Sequence, residues 1–311
     1  MNIDNMAIKA EDQKEYRSGF VSIIGRPNVG KSTLMNALVG AKVAITTSQA
    51  GTTRRIVRGI VSTDEGQIIL VDTPGSHKPH TLLGERMNDM IRSSLADVDV
   101  NVMCFPADEK IGPGDNYLLE QALHTGKTCI AVVTKMDAVS SNDMYKKLEE
   151  INALAPFSDI IPVSAVKNKQ IEDLRSLLIA HLPVCPPLYP VDAITDDTEE
   201  SFISELIREA ALEDLRDELP HSLAVTVEEM IEEDISKGKR MRVHATIHVE
   251  RDSQKGIIIG HKGKSLKNIG KQARLGISQL LGMPVYLDLH VRVTKEWQRN
   301  PKYLSRLGFD V

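Results

Sequence analysis

The sequence predicts a doubly wound α/β domain, its sheet mostly parallel with one antiparallel edge strand, followed by a smaller α+β domain. Three observations predict it. Short apolar runs alternate with longer helical patterns as far as residue 182, the rhythm of strands joined by helices. A proline-rich stretch, Pro183-Val-Cys-Pro-Pro-Leu-Tyr-Pro190, then breaks that rhythm, and a different order of elements follows it. The length, 311 residues, is too great for one ordinary core and suits two.

Residues Met1 to Arg17 are polar and lack the apolar segment of a secretory signal, so a short disordered tail is expected there. The apolar runs that follow are Phe20–Ile24, Ile56–Ser62, Gln67–Val71, Val98–Phe105, Thr128–Val133 and Ile160–Val163. Only Asp64-Glu65-Gly66 separates the second clearly from the third, too little for a helical crossover, so these two form a hairpin at the sheet edge. Beyond the prolines, Phe202, Ile203, Leu206, Ile207, Ala210 and Ala211 repeat at helical spacing. Two β-type runs, Leu223–Ile231 and Met241–Val249, a Gly-punctuated helical stretch over 256–281 and a last alternating run, Val285–Val293, give the order α-β-β-α-α-β. The expected organisation is a tail (1–17), a first domain (18–182), a linker (183–200) and a second domain with its C-terminal tail (201–311).

With 41% hydrophobic and 26% charged residues, the chain reads as globular, and no stretch approaches the roughly 20 apolar residues of a membrane span. Its three cysteines show no CxxC or Cys/His spacing and read as reduced and structural, which places the protein in the cytoplasm. The net charge of −5 is unevenly distributed: residues 1–191 carry −2, residues 192–236 carry −14, and residues 237–311 carry +11. The acidic block reads as a solvated face, as a device that repels nucleic acid from the wrong side, or as a contact with the first domain.

Gly25, Arg26, Pro27, Asn28, Val29, Gly30, Lys31 and Ser32 form GxxxxGK[ST] directly after the first strand, and Thr33 continues into a helical pattern. Such a loop points backbone N–H groups at phosphates, and the helix behind it adds its positive end. Lys31 would neutralise the β- and γ-phosphates and Ser32 would ligate Mg²⁺. Asp72, Thr73, Pro74 and Gly75 end the third run, supplying a carboxylate for the Mg²⁺ shell and a backbone N–H for the γ-phosphate, with Ser76 next in line. Thr134, Lys135, Met136 and Asp137 end the fifth. A carboxylate there accepts from N1–H and N2–H₂ of guanine, a pair adenine lacks, and bonds of this kind discriminate by about 10⁴–10⁵. Ser164 and Ala165, ending the sixth, offer a backbone N–H to guanine O6.

Together these motifs, in this order, resemble those of the P-loop GTPases. The resemblance implies GTP and GDP as ligands with Mg²⁺, and a catalytic set of Lys31, Thr53 and Gly75. The remaining motif falls in Gly51-Thr52-Thr53-Arg54-Arg55; Thr53, before the arginine, is the better candidate for closing on Mg²⁺ beside Ser32 and Asp72, with Thr52 the alternate. Two departures stand out. Thr134 replaces the usual Asn, which braces the phosphate loop and the base, and Ser76 stands where Ras-like enzymes carry a water-orienting Gln. Neither His77 nor His80 is assigned that role, so intrinsic hydrolysis is expected to be slow, on the order of 10⁻⁴ to 10⁻² s⁻¹. Asn28 matches an asparagine that contributes to a K⁺ site in similar proteins, and a cation there would stabilise developing charge.

In the second domain, Gly260, His261, Lys262 and Gly263 make a GxxG loop between an apolar helix turn and a helix carrying Lys264, Lys267 and Lys271. With the α-β-β-α-α-β order this resembles a type II KH domain, whose GxxG loop clamps a nucleic-acid backbone. Gly260, His261, Lys262, Gly263, Lys264 and Lys267 are the expected RNA contacts. The lone Trp297 reads first as a packing anchor and second as a stacking platform, and His244 and His248 are given no chemistry.

A GTPase domain joined to a type II KH domain is similar to the Era GTPases from about residue 18 to residue 311. That resemblance implies a switch that binds small-subunit (16S) ribosomal RNA near its 3′ end and acts in small-subunit assembly. It further implies peripheral association with the cytoplasmic face of the membrane; a monomer with no DNA partner is expected. Residues between Ser76 and Asp97 are expected to transmit the nucleotide state to the KH domain. The alternative is a constitutive KH scaffold with a weak G domain; a tRNA-modifying GTPase would need a further domain for which no residues remain.

Overall fold

The computed structural model describes residues 15–47, 52–74, 81–213, 222–236 and 238–307. The first domain holds β1 (Arg17–Ile24), α1 (Lys31–Val39), β2 (Val57–Ser62), β3 (Gly66–Asp72), α2 (Leu82–Ala96), β4 (Val100–Pro106), α3 (Pro113–His124), β5 (Thr128–Thr134), α4 (Ser141–Asn152), β6 (Asp159–Pro162) and α5 (Ile171–His181). Its sheet runs β2-β3-β1-β4-β5-β6, all neighbours parallel except the β2/β3 hairpin at the edge.

Continuous apolar strands need cover on both faces, and the helices supply it. One layer packs Leu34 and Leu38 of α1 and Leu174 and Leu178 of α5 on Val21, Ile23, Leu70 and Val100. The other packs Ile91, Leu95, Leu118, Leu119 and Ile151 of α2, α3 and α4 on Ile24, Met103, Phe105 and Val133. Cys104 and Cys129 lie within these layers, where burial pushes their thiols up to about 12 and about 11 and keeps them protonated. Strand order reverses at β1, which opens a crevice at the carboxyl ends of the strands, the place where such sheets bind ligands. The β1/β3 register sets Ile23 opposite Asp72, bringing that carboxylate beside the phosphate loop.

The proline-rich segment, expected as part of the linker, is laid on the first domain. Ser18 N–H donates to Pro183 O at 3.1 Å, and Cys185 N–H donates to Tyr16 O at 3.1 Å. The Gln67 amide oxygen accepts from the backbone N–H groups of Leu188 and Tyr189, and its nitrogen donates to Tyr189 O. Ile60 N–H on the free edge of β2 reaches Ile194 O at 2.9 Å. The segment uses the N–H groups of its non-proline residues as well as its carbonyls, and the chain that follows it, at Ile194 and Thr195, covers an edge of β2 that would otherwise be open to pairing.

The second domain holds α6 (Glu199–Glu213), β7 (Ala224–Ile235), β8 (Gly238–Val249), α7 (Asp252–Ile259), α8 (Lys264–Leu281), β9 (Val285–Val293) and α9 (Pro301–Arg306). β7 and β8 are antiparallel, β8 and β9 parallel, and α6 and α8 cover one face through Ile203, Ile207, Ile269, Ala273 and Ile277. Both hairpin strands run past the expected apolar runs, to Ile235 and from Gly238. Charge holds that extension: Glu233 pairs with Arg240 at 2.7 Å and with Arg242 at 2.8 Å, while Glu232 pairs with Lys239. A search for apolar alternation passes over a strand whose cross-strand pairs are ionic.

Candidate nucleotide site and nucleic-acid interface

The phosphate loop leaves β1 and turns into α1 through left-handed backbone at Asn28 (φ 64°) and Gly30 (φ 98°), so that α1 begins at Lys31 with its N–H groups facing the crevice. The buried Lys31 ammonium spans the loop, donating to Gly25 O at 2.9 Å and Arg26 O at 3.0 Å. Burial pushes its pKa down, with Asp72 acting the other way. Arg26 is turned outward to Asp115 at 2.8 Å and Glu109 at 3.2 Å, which tether the loop to the N-terminus of α3.

Three residues from separate segments meet at the loop's end. Ser32 Oγ donates to Asp72 Oδ2 at 2.6 Å, and Thr53 Oγ1 lies 3.1 Å from Ser32 Oγ and 3.3 Å from Asp72 Oδ2. Thr52 turns instead to Thr47, at 2.7 Å, so the geometry favours Thr53 of the two threonines. Asp72 is fully buried and its Oδ1 has no hydrogen-bond partner among the described residues; burial raises its pKa against the opposing effects of Lys31, Ser32 and Thr53. Two hydroxyls gathered on one oxygen of a carboxylate whose other oxygen is unpartnered make a set of hard oxygen donors that suits Mg²⁺. The adjoining cavity, about 300 Å³, is lined by Pro27, Asn28, Gly30, Lys31, Ser32, Thr33, Thr46, Thr52, Thr53 and Lys135, among others. Thr73 is buried behind it, its hydroxyl donating to Ile23 O at 3.2 Å; Pro74 follows. Gly51, Gly75, Ser76, His77 and His80 lie outside the described residues.

At the far end of the crevice Thr134 Oγ1 donates to Val29 O at 2.6 Å, so this threonine does brace the phosphate loop. Asp137 accepts a short hydrogen bond from the Ser164 hydroxyl, which holds its carboxyl below the usual range. Ser164 is fixed in turn by paired backbone bonds with Lys169, Ala165 follows it, and Met136 N–H reaches Val163 O at 3.1 Å. Lys135, in left-handed backbone, sets its ammonium 3.3 Å from both Asp108 and Glu109. Sequence reading missed Asp108, Glu109 and Asp115; the signal was an acidic pair directly after β4.

In the second domain α7 ends at Gly260 (φ 70°), where a Cβ would fall 2.6 Å from that of Ser265. A single tight turn, with Lys262 at φ 51° and Gly263 at φ 75°, leads into α8. A groove of about 1000 Å³ lies alongside, its lining including Gly260, His261, Gly263, Lys264, Lys267, Lys271 and Arg274, with Leu287 and Leu289 of β9 as an apolar floor. Lys262 is not among the lining residues. Arg274 was missed, although it falls on the α8 face that Lys264, Lys267 and Lys271 define. Trp297 is fully buried and donates to Ser222 O at 3.0 Å, an anchor and not a stacking platform. His248 is held between Thr226 and Thr294, and His244 lies 3.3 Å from Asp288.

The fold and the two sites define a P-loop GTPase domain followed by a KH domain. Family models agree: one described as a 50S ribosome-binding GTPase matches residues 20–135, and one described as a KH domain matches residues 218–298. The chain is 51% identical to GTPase Era of Streptomyces coelicolor, covering 98% of this chain and 100% of that protein. It is 53% identical to GTPase Era of a Nocardioides species, covering 96% and 97% respectively. Two solved Era structures, that of Aquifex aeolicus Era bound to GDP·AlF₄⁻ and one in complex with MgGDPNP and nucleotides 1506–1542 of 16S ribosomal RNA, each superpose with a TM-score of 0.90 at 36% identity, covering 95% of this chain. The chain belongs to the Era family of GTPases.

Proposed function

We propose that this protein is a GTP-hydrolysing switch that binds 16S ribosomal RNA near its 3′ end and acts in assembly of the small ribosomal subunit. The observation that carries the reading is the meeting of the Ser32 and Thr53 hydroxyls on Oδ2 of the buried Asp72, whose other oxygen has no hydrogen-bond partner among the described residues, at the end of the phosphate loop. Mg²⁺ held there would neutralise charge on the β- and γ-phosphate oxygens. The backbone N–H groups of the loop from Asn28 to Ser32 and the Lys31 ammonium hold the phosphates, Thr33 closes that end, and Asp137, aligned by Ser164, receives guanine. The RNA surface is the groove beside Gly260–Lys264, with Lys267, Lys271 and Arg274 opposing phosphates. An Era relative solved with both MgGDPNP and a 16S fragment supports combining the two sites in one cycle.

The working units are residues 18–182 and 201–311, joined by the docked strap at 183–200. Asn28, on the wall of the phosphate cavity, is the residue to which a K⁺ ion would be referred. No helix among the described residues is long and apolar enough to cross a membrane. A cytoplasmic monomer whose membrane contact is peripheral is part of the proposed reading and rests on the resemblance to the Era GTPases.

The test compares RNA affinity with GTP analogue, GDP and no nucleotide, in the native protein and in Lys31→Ala. The switch reading expects nucleotide-dependent affinity that Lys31→Ala abolishes together with GTP binding. Equal affinity in all three states would leave the constitutive scaffold as the correct description.

A further inference from the structure

The loop that brings Thr53 to Ser32 and Asp72 is gripped from the second domain, by two adjacent residues of α6. Glu209 Oε1 accepts from Thr46 N–H at 2.9 Å while its other oxygen pairs with Lys42. Arg208 donates to Thr52 O by a short hydrogen bond and is itself held by Glu205, Nε to Oε1 at 3.0 Å. Arg208 and Glu209 are only 3% and 8% exposed, so each spends a desolvated charge on a backbone group of another domain's loop. The Thr52 carbonyl carbon is bonded to the nitrogen of Thr53, so a shift at this grip moves the hydroxyl that must stay on Ser32 and Asp72. Thr46, Thr52 and Thr53 also line the nucleotide cavity together.

The surroundings reinforce the grip. Arg54 crosses the same boundary to Leu223 O at 2.6 Å; burial and then the neighbouring Arg208 push its pKa down to about 9, which leaves it a cation at neutral pH. Burial opposes ionisation of Glu205, but Arg208, Arg55 and Arg54 outweigh it and hold the carboxyl below its usual range. The cluster therefore stays charged and paired.

We infer that Arg208 and Glu209 are positioning residues for GTP hydrolysis, acting from the KH domain through the backbone of the Thr53 loop to set the Mg²⁺ site. The inference rests on the GTPase reading above. It makes the coupling reciprocal: whatever nucleotide and Mg²⁺ gain from a docked α6, docking of α6 gains from nucleotide and Mg²⁺.

Full-length Arg208→Ala, Glu209→Ala and Glu209→Gln are compared with the native protein for Mg²⁺-dependent GTP turnover and for affinity toward a non-hydrolysable GTP analogue and GDP, with the melting temperature as a check on folding. A misplacement of about 1 Å can cost about 100-fold, so Arg208→Ala and Glu209→Ala are expected to lower kcat by roughly 10–100-fold and to raise the Mg²⁺ concentration for half-maximal rate. GDP affinity should stay within about twofold, because the loop's hydroxyl serves the γ-phosphate and metal. Glu209→Gln keeps a carbonyl acceptor for Thr46 N–H and should recover part of the loss. Unchanged kcat and Mg²⁺ dependence in both alanine variants would overturn the inference, as would equal losses of GTP and GDP affinity or a Gln variant no better than Ala. Should Arg208→Ala fail to fold, the two Glu209 variants decide alone. A native protein that neither binds nor hydrolyses GTP would overturn the functional reading itself, and this inference with it.

Discussion

Thr134 shows how much one hydroxyl can take over. An asparagine at this position would have an amide to share between the phosphate loop and the base, whereas the threonine spends its donor on Val29 O at 2.6 Å, with Phe105 O at 3.4 Å. Its replacement by valine keeps the shape and removes the donor, leaving a buried carbonyl of the loop unpaired. That costs about 1–3 kcal/mol. If the cost falls on nucleotide-competent loop geometry, GTP and GDP affinities both drop by about 5- to 150-fold. Calorimetric titration of Thr134→Val checks this, and an unchanged affinity would show the brace to be idle. The residues of this site were legible in the sequence where they are contiguous, as from Gly25 to Ser32, because a loop that wraps a phosphate uses consecutive amides. Asp108, Glu109 and Asp115 were not, since what selects them is proximity to Arg26 and Lys135 across the β4–α3 connection, which only the fold creates.

At the scale of elements, α2 and the C-terminal turn form a second bridge between the domains. Leu83 and Met87 on one face of α2 pack with Trp297, Leu304 and Ala224 in a small apolar cluster. The expectation that residues 76–97 carry the nucleotide state outward thus has a described part in α2, and the α6 grip on the Thr53 loop is a separate contact between the domains. Trp297→Ala removes the largest fully buried side chain and strands the Ser222 carbonyl, so unfolding should lose about 3–5 kcal/mol. Denaturant unfolding followed by circular dichroism measures it, since the substitution also removes the tryptophan fluorophore; a loss under about 1 kcal/mol would mean that the cluster does not bear on stability. Element order was readable from periodicity because both cores are continuous apolar layers. The docked strap and the charged ends of β7 and β8 were not readable that way: their partners are carbonyls, Gln67 and cross-strand ions, none of which leaves an apolar period.

At the scale of the molecule, the net charge of −5 conceals a segregation that the structure explains. Part of the acidic block from 192 to 236 is spent internally: Asp196 on Arg58, Asp197 on Arg55, Glu209 on Lys42, and Glu232 and Glu233 on β8. The cations that remain for a partner include Lys264, Lys267, Lys271 and Arg274 along the groove. If each opposes one phosphate of a single strand, RNA affinity should fall with salt with a log–log slope of about −3, or roughly 50-fold between 50 and 200 mM. If nucleotide is held chiefly by backbone N–H groups and metal in the phosphate-loop crevice, as proposed, GTP affinity over the same range should change far less. Parallel titrations in KCl separate the two slopes. Substituting Lys267 and Arg274 together should flatten the RNA slope by about 1.4 while leaving the GTP slope alone. A slope that does not respond to those substitutions would place the RNA on another surface, and with it the meaning of the basic end of the chain.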